Sequence, residues 1–281
     1  MQPLGIIITG SVPYSQKMLE SKIIHQDIQF SINFEDEQYL NSSLTQKRLF
    51  ELISEKREIP KTSQPSFLEI TEALKKRLQE YEQLIFIVPN RELSGTYQGV
   101  ISAVKELNKE EEKVFIIESS CIALAEIDIV ERIIELKDQL KASEIAKELA
   151  IVNNVTYAFP TDEKFLKLSG RVSGSQALLI GLLKIRPIVC MEPYKKPYFP
   201  YKGRGLKSVL KYIEIHIFQD IEQVEKIFFT KIALSSLEEK ELIKLFKKKK
   251  INYEVVQDAP PVVATHFGPN SFGIYLKKTK N

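Results

Sequence analysis

The chain has little of several things that give other proteins their structure or chemistry. It has two cysteines in 281 residues, too few for a disulfide framework and without the spacing of a metal site. Cys121 and Cys190 both lie in apolar stretches, so they read as reduced core thiols of a cytosolic protein. Its three histidines, His25, His216 and His266, lack metal-ligand spacing. Charge of one sign is also scarce: 40 basic against 37 acidic residues leave +3, far from the basic stripe of a nucleic-acid binder. The longest apolar run, residues 177–183, is well short of the ~20 residues a membrane span needs. The opening MQPLGIIITG lacks the basic start of a secretory signal and reads as a first core strand. There is no P-loop, GxSxG elbow, HExxH or GxGxxG after a strand. These absences leave a cytoplasmic protein with no membrane span, no nucleic-acid partner, no metal and no standard catalytic set.

The composition, 43% hydrophobic and 27% charged, is that of a globular chain, and the length suits about two domains. A chain this long buries about three quarters of its unfolded surface. In the first half, short buried runs at 4–9 (LGIIIT), 84–88 (LIFIV) and 113–118 (KVFIIE) alternate with helical patterns near 44–57, 66–82, 96–108, 121–138 and 142–152. Residues 28–34 (IQFSINF) alternate apolar and polar, as a half-buried strand would. Strand–helix alternation of this kind predicts a mostly parallel sheet covered by helices. In the second half, strands are expected at 155–159, 186–191, 227–233, 251–257, 260–266 and 272–276, with helices near 162–168, 174–184, 204–217 and 236–249. Consecutive strands there imply a mixed or antiparallel sheet. The fold class is therefore α/β, with an α/β/α parallel-sheet domain over 1–154 and a second α/β domain over 155–281.

In an open α/β sheet, ligands bind where strand ends lead into helix N-termini. After the 84–88 strand comes Leu93-Ser94-Gly95-Thr96-Tyr97-Gln98 at the start of a helix. Ser94 and Thr96 are suited to capping, and Gly95 permits close approach to the backbone. The segment reads either as plain capping or as a carboxylate or phosphate site on free N–H groups. Thr62-Ser63-Gln64-Pro65-Ser66 precedes another helix, with Ser63 or Ser66 as cap, and would place hydroxyls on the same sheet edge as Ser94. His266, in a turn at 265–269, is either a structural hydrogen-bonding residue or an imidazole aimed at an anion. Only eight of the 40 basic residues are Arg. Arg171 and Arg204 each follow a glycine, as solvated cations or anion contacts. Residues 176–183 (QALLIGLL), apolar on nearly every face, are buried or line an apolar cavity.

These four motifs, at 62–66, 93–98, 170–173 and 265–269, occur in an order and spacing that resembles the DegV family of bacterial fatty-acid-binding proteins. Minor landmarks at 34–39, 165–167 and 184–188 agree, and the likeness covers almost the whole chain. The resemblance implies the two-domain fold shared with dihydroxyacetone kinase subunits, with a long-chain fatty acid such as palmitate, stearate or oleate between the domains. It implies that Thr62 and Ser94 hold the carboxylate, with Ser63, Gly95 and His266 as neighbours. It further implies a carrier without catalysis or cofactor of its own, the lipid-binding subunit of a fatty acid kinase. A separate ATP-dependent kinase subunit would phosphorylate the lipid for phospholipid synthesis, with Arg171 and Arg204 in phosphotransfer or partner contact. The chain departs from the family pattern at Gly10-Ser11, Asn41-Ser42 and Glu118-Ser119, where an aspartate is usual. Two other readings stand beside this one: a small-molecule enzyme related to dihydroxyacetone kinase, and a lipid-responsive module without a kinase partner.

Overall fold

The computed structural model describes residues 2–107, 112–119, 121–150, 154–171, 185–256 and 258–279. The first sheet is built from β1 (Gln2–Thr9), β2 (Ile24–Ile28), β6 (Tyr81–Val88) and β7 (Val114–Glu118) in the order β2-β1-β6-β7. All its pairings are parallel. Because side chains alternate across a strand, its continuous apolar runs feed two cores at once. Ile7, Leu84, Phe86 and Val88 pack with Ile70, Leu74, Val100 and Val104, from α3 (Phe67–Leu78) and α4 (Thr96–Glu106). Ile6, Ile8, Ile85 and Ile87 pack with Ile127, Ile133 and Ile145, from α5 (Leu124–Leu136) and α6 (Ala142–Leu149). This is the expected parallel sheet with helices on both faces.

The second sheet has the order β10-β9-β8-β13-β11-β12. Its members are β8 (Asn154–Phe159), β9 (Ile185–Met191), β10 (Tyr198–Arg204), β11 (Val224–Ile232), β12 (Glu254–Val255) and β13 (Ser271–Lys278). Its pairings are antiparallel except β11 with β12, so the sheet is mixed, as the rhythm of the second half implies. Its outer face is covered by α8 (Gly205–Tyr212), which runs on as a wider turn to Ile217, and by α9 (Ser236–Lys248), through Val209, Ile213, Leu242 and Phe246.

Helix α5 joins the two halves. It packs on β6 of the first sheet and on β8 and β11 of the second, so even its acidic Glu126, Asp128 and Glu131 are buried. Each has a partner: Glu126 accepts from Ser11 and the Ala123 N–H, Asp128 from the Tyr275 hydroxyl, and Glu131 from Ser15 and Lys226.

A third, three-stranded sheet β4-β3-β5 was not foreseen in the sequence. It comprises β3 (Ser31–Asn33), β4 (Gln38–Leu40) and β5 (Lys61–Ser63). The alternating run at 28–34 is therefore not one strand: it is divided between β2 and β3, which belong to different sheets. The expected strand at 251–257 shrinks to the two-residue β12. The expected strand at 260–266 is instead a helix, α10 (Pro261–Phe267). Its β-branched Val-Val-Ala-Thr run looks like strand, but Pro260 and Pro261 preset a helical start and Gly268 ends it. Gly268 has φ +75°, and a Cβ there would come within 2.5 Å of the Phe165 ring. The remaining helices are α1 (Gln16–Leu19), α2 (Gln46–Lys56) and α7 (Glu163–Ser169). The apolar helix expected at 174–184 and Val172 and Ser173 of the 170–173 motif lie outside the described residues. No helix among the described residues is long and apolar enough to cross a membrane.

Candidate functional site

Where the three sheets meet, a cavity of about 720 Å³, its open mouth included, is lined by ten apolar and six polar described residues. The apolar ones are Phe30, Leu93, Ile122, Leu166, Val189, Met191, Pro197, Val262, Val263 and Phe267, and the polar ones are Thr62, Gln64, Ser94, Ser169, Arg171 and His266. A second apolar cavity of about 360 Å³ shares the walls formed by Ile122, Met191, Val263 and Phe267. It reaches between Leu124, Ala158 and Gly273.

Thr62 enters from the middle of β5. Alternation along that short strand turns Thr62 toward the cavity and leaves Lys61 and Ser63 exposed. Ser63 accepts instead from the Asn33 side chain at 2.8 Å and does not line the cavity. The cap of α3 is Ser66, which takes the Glu69 N–H while Glu69 returns a bond to the Ser66 N–H. That capping box leaves Thr62 free of any capping duty. Thr62 is on a different sheet from the strand that leads to Ser94, so the expected shared edge is replaced by a meeting across the cavity.

Ser94 sits in the loop between β6 and α4. Asn90, buried and not singled out in the sequence, shapes that loop. Its carbonyl accepts from the Leu93 and Ser94 N–H groups and its Oδ1 from the Glu92 N–H. The Pro-Asn pair directly after a strand is the sequence signal for this Asx turn. Arg91 lies across Glu118, donating from Nε to both carboxylate oxygens at 3.0 and 2.8 Å, so Glu118 pins the same loop. Ser94 Oγ shares a 2.8 Å bond with Thr96 Oγ1 and accepts from the Thr96 N–H at 3.3 Å. The cap position itself is Gly95, which makes no side-chain cap bond. A Cβ on Gly95 would collide with Gln64 Oε1.

His266 stands in the last turn of α10, not in a free turn, and its Nε2 lies 3.1 Å from Thr62 Oγ1. Its Nδ1 is buried with no hydrogen-bond partner among the described residues. Burial, and after it the positive charge of Arg171, push the imidazole down to about 3, so the ring is neutral near pH 7. Arg171, on the exposed segment after α7, donates to the Leu93 carbonyl at 3.4 Å and to the Ser169 carbonyl. It thus ties α7 to the Ser94 loop at the mouth. Arg204 is exposed at the end of β10 and does not line this cavity.

Five features therefore meet in one largely apolar space: two hydroxyls, a neutral imidazole, an arginine and, behind Ser94, a helix N-terminus. Chemically this end can take an anion by charge-assisted hydrogen bonds, and the rest can take a hydrocarbon. The thiols of Cys121 and Cys190 are buried and unpaired, and burial raises both above the usual thiol value. Among the described residues no group of side chains could hold a metal ion.

The fold and site define an α/β protein with an amphipathic cavity at the junction of its sheets. A family model described as "Uncharacterised protein, DegV family" matches residues 3–279, and the chain belongs to the DegV family. A DegV domain-containing protein of Clostridium acetobutylicum is 26% identical over 285 residues, covering 98% of each chain. The crystal structure of a fatty acid binding DegV family protein from Streptococcus agalactiae has a TM-score of 0.87 at 20% identity, with 100% of both chains covered. A DegV family protein from Eubacterium eligens loaded with heptadecanoic acid has a TM-score of 0.81 at 17% identity, covering 99% of this chain and 100% of that one.

Proposed function

We propose that this protein binds a long-chain fatty acid, such as palmitate, stearate or oleate, with its carboxylate between Thr62 and Ser94 and its chain in the apolar cavity. The observation that carries this reading is the make-up of the cavity, whose mostly apolar lining includes Ser94, Arg171 and the bonded Thr62–His266 pair. A carboxylate there gains hydrogen bonds from two hydroxyls and from the backbone N–H of Gly95, with Arg171 as the nearby cation. The chain gains about 0.8 kcal/mol for each methylene taken from water. The fatty acids bound by the relatives support the same ligand class.

A mostly apolar cavity with hydroxyls and an arginine to hold a carboxylate suits a carrier that presents its lipid to a separate ATP-dependent kinase for acyl-phosphate formation and phospholipid synthesis. Arg171 at the mouth is placed to meet a developing acyl phosphate. Arg204, away from the cavity, is left the role of partner contact. Two buried unpaired thiols suit the reducing cytoplasm. The small-molecule enzyme reading asks for a polar pocket, which the lining disfavours.

Mass spectrometry of the purified protein, native and after solvent extraction, tests the proposal. A stoichiometric C14–C18 acid is expected. A protein that is empty and stays empty when offered palmitate and oleate refutes it. Addition of a cognate kinase and ATP to the loaded protein tests the second half, by acyl-phosphate formation.

A further inference from the structure

Helix α10 carries His266 at one end and supplies Val262, Val263 and Phe267 to the cavity wall, yet its start has unusually few bonds of its own. Pro260 and Pro261 have no N–H. The Val263 and Ala264 N–H groups bond to the Pro260 carbonyl. That leaves the Val262 N–H, and it donates to Asn41 Oδ1 at 2.8 Å, across 221 residues of chain. The other end of the same buried amide donates from Nδ2 to the Gly10 carbonyl at 2.6 Å, at the end of β1.

A second buried amide works on the segment leading into α10. Gln46 donates from Nε2 to the carbonyls of Lys231 and Ala259, at 3.1 and 2.6 Å, and accepts from the Ala233 N–H at 2.9 Å. Both amides lie within six positions of each other, Asn41 directly after β4 and Gln46 at the first position of α2. Asn41 is tied to the first sheet, and Gln46 ties the same stretch to β11 and to the residue before Pro260. Helix α10 is thus referenced to the first sheet at its start, and four residues further on, about 6 Å along the axis, His266 meets Thr62.

We propose that Asn41 and Gln46 are positioning residues for the head-group end of the cavity, setting through α10 where the His266 ring lies against Thr62. This rests on the fatty-acid reading for its ligand, though not for its geometry. Neither amide lines the cavity. The amide at position 41 matters because an aspartate carboxylate in its place has no N–H to give the Gly10 carbonyl.

The test uses the full chain carrying Asn41→Ala, Asn41→Asp or Gln46→Ala, any one of which suffices if another fails to fold. Two readouts are taken: the ¹⁵N signals of the His266 imidazole, and the affinity for palmitate relative to hexadecanol, which has the same chain without a carboxylate. The expected result is a shifted His266 spectrum and a roughly tenfold loss for palmitate, the scale of one charge-assisted hydrogen bond, with hexadecanol unchanged. An unaltered His266 spectrum together with an unaltered palmitate-to-hexadecanol ratio in a folded variant overturns the inference. If the wild-type protein takes up neither lipid, it is the proposed function that fails, and the imidazole spectrum alone decides the role of the amides.

Discussion

Thr62 Oγ1 and His266 Nε2, 204 residues apart in the chain, lie 3.1 Å from each other. One comes from a three-residue strand of the smallest sheet and the other from the last turn of a seven-residue helix. Their bond joins the first quarter of the chain to its last sixteen residues at the cavity wall. A ligand bound there would touch segments far apart in the chain, so binding should resist unfolding of the whole molecule.

Removing the hydroxyls tests the clamp directly. Thr62→Ala and Ser94→Ala should each weaken fatty-acid binding by roughly 1.5–3 kcal/mol, about ten- to a hundredfold, because each removes a hydrogen bond to a charged group. The fold should survive, since α3 is capped by Ser66, though Thr62→Ala leaves His266 Nε2 without its partner and should lower thermal stability without ligand. Equilibrium binding of a fluorescent fatty acid reads this. A double variant with wild-type affinity would sink the assignment.

His266 should titrate far below an ordinary histidine. Burial and then Arg171 lower it from 6.5 to about 3, so the native state holds fewer protons on this ring than the unfolded chain does. The stability it contributes is complete above pH 6.5 and is lost as pH falls from there toward 3. Imidazole NMR should show a neutral ring at pH 5.5. A ring that titrates near 6.5 would contradict the buried geometry.

Glu126 should act in the opposite direction. Burial raises its carboxyl from 4.5 to about 8, against the lowering effect of the Ala123 N–H and Ser11. The native state then binds more protons than the unfolded chain between those two values. Stability falls as pH rises through that window, by up to about 1.4 kcal/mol for each pH unit. Glu126→Gln keeps an acceptor for the Ala123 N–H and should flatten the slope, leaving the variant more stable than wild type at pH 8.5. Denaturant unfolding at pH 5, 7 and 8.5 gives the three points needed.

Gly268→Ala should cost about 1–3 kcal/mol of folding stability, from the positive φ and from crowding against Phe165. Because Gly268 sets how α10 leaves the cavity wall, ligand affinity should fall with it. Urea unfolding alongside lipid binding measures both, and a wild-type midpoint would show that Phe165 moves aside freely.

The sequence was most legible where one local signal is enough. The buried runs of β1, β6 and β7 are continuous and β-branched because helices cover both faces, and that pattern needs no knowledge of partners. The four motifs in order carried the family resemblance, which the match over residues 3–279 bears out. Ser66 is a position where local chemistry and structure agree, though the choice between Ser63 and Ser66 could not be made without the capping box.

Other features were set by distant contacts. The Val-Val-Ala-Thr run of α10 has the composition of a strand and became a helix between two cores, held at its start by an asparagine far away in the chain. The run at 28–34 carries one alternation but serves two sheets, because the chain turns between Ile28 and Ser31. Whether Thr62 or Ser63 faces the cavity depended on the register of β5 with β3, since a shift of one residue in a strand exchanges its faces. Local propensity and pattern thus determined the α/β class, the parallel sheet and the motifs. Tertiary structure alone decided which hydroxyl meets His266 and that Arg204 stands apart, because those outcomes depend on strand register and on buried hydrogen bonds between residues far apart in sequence.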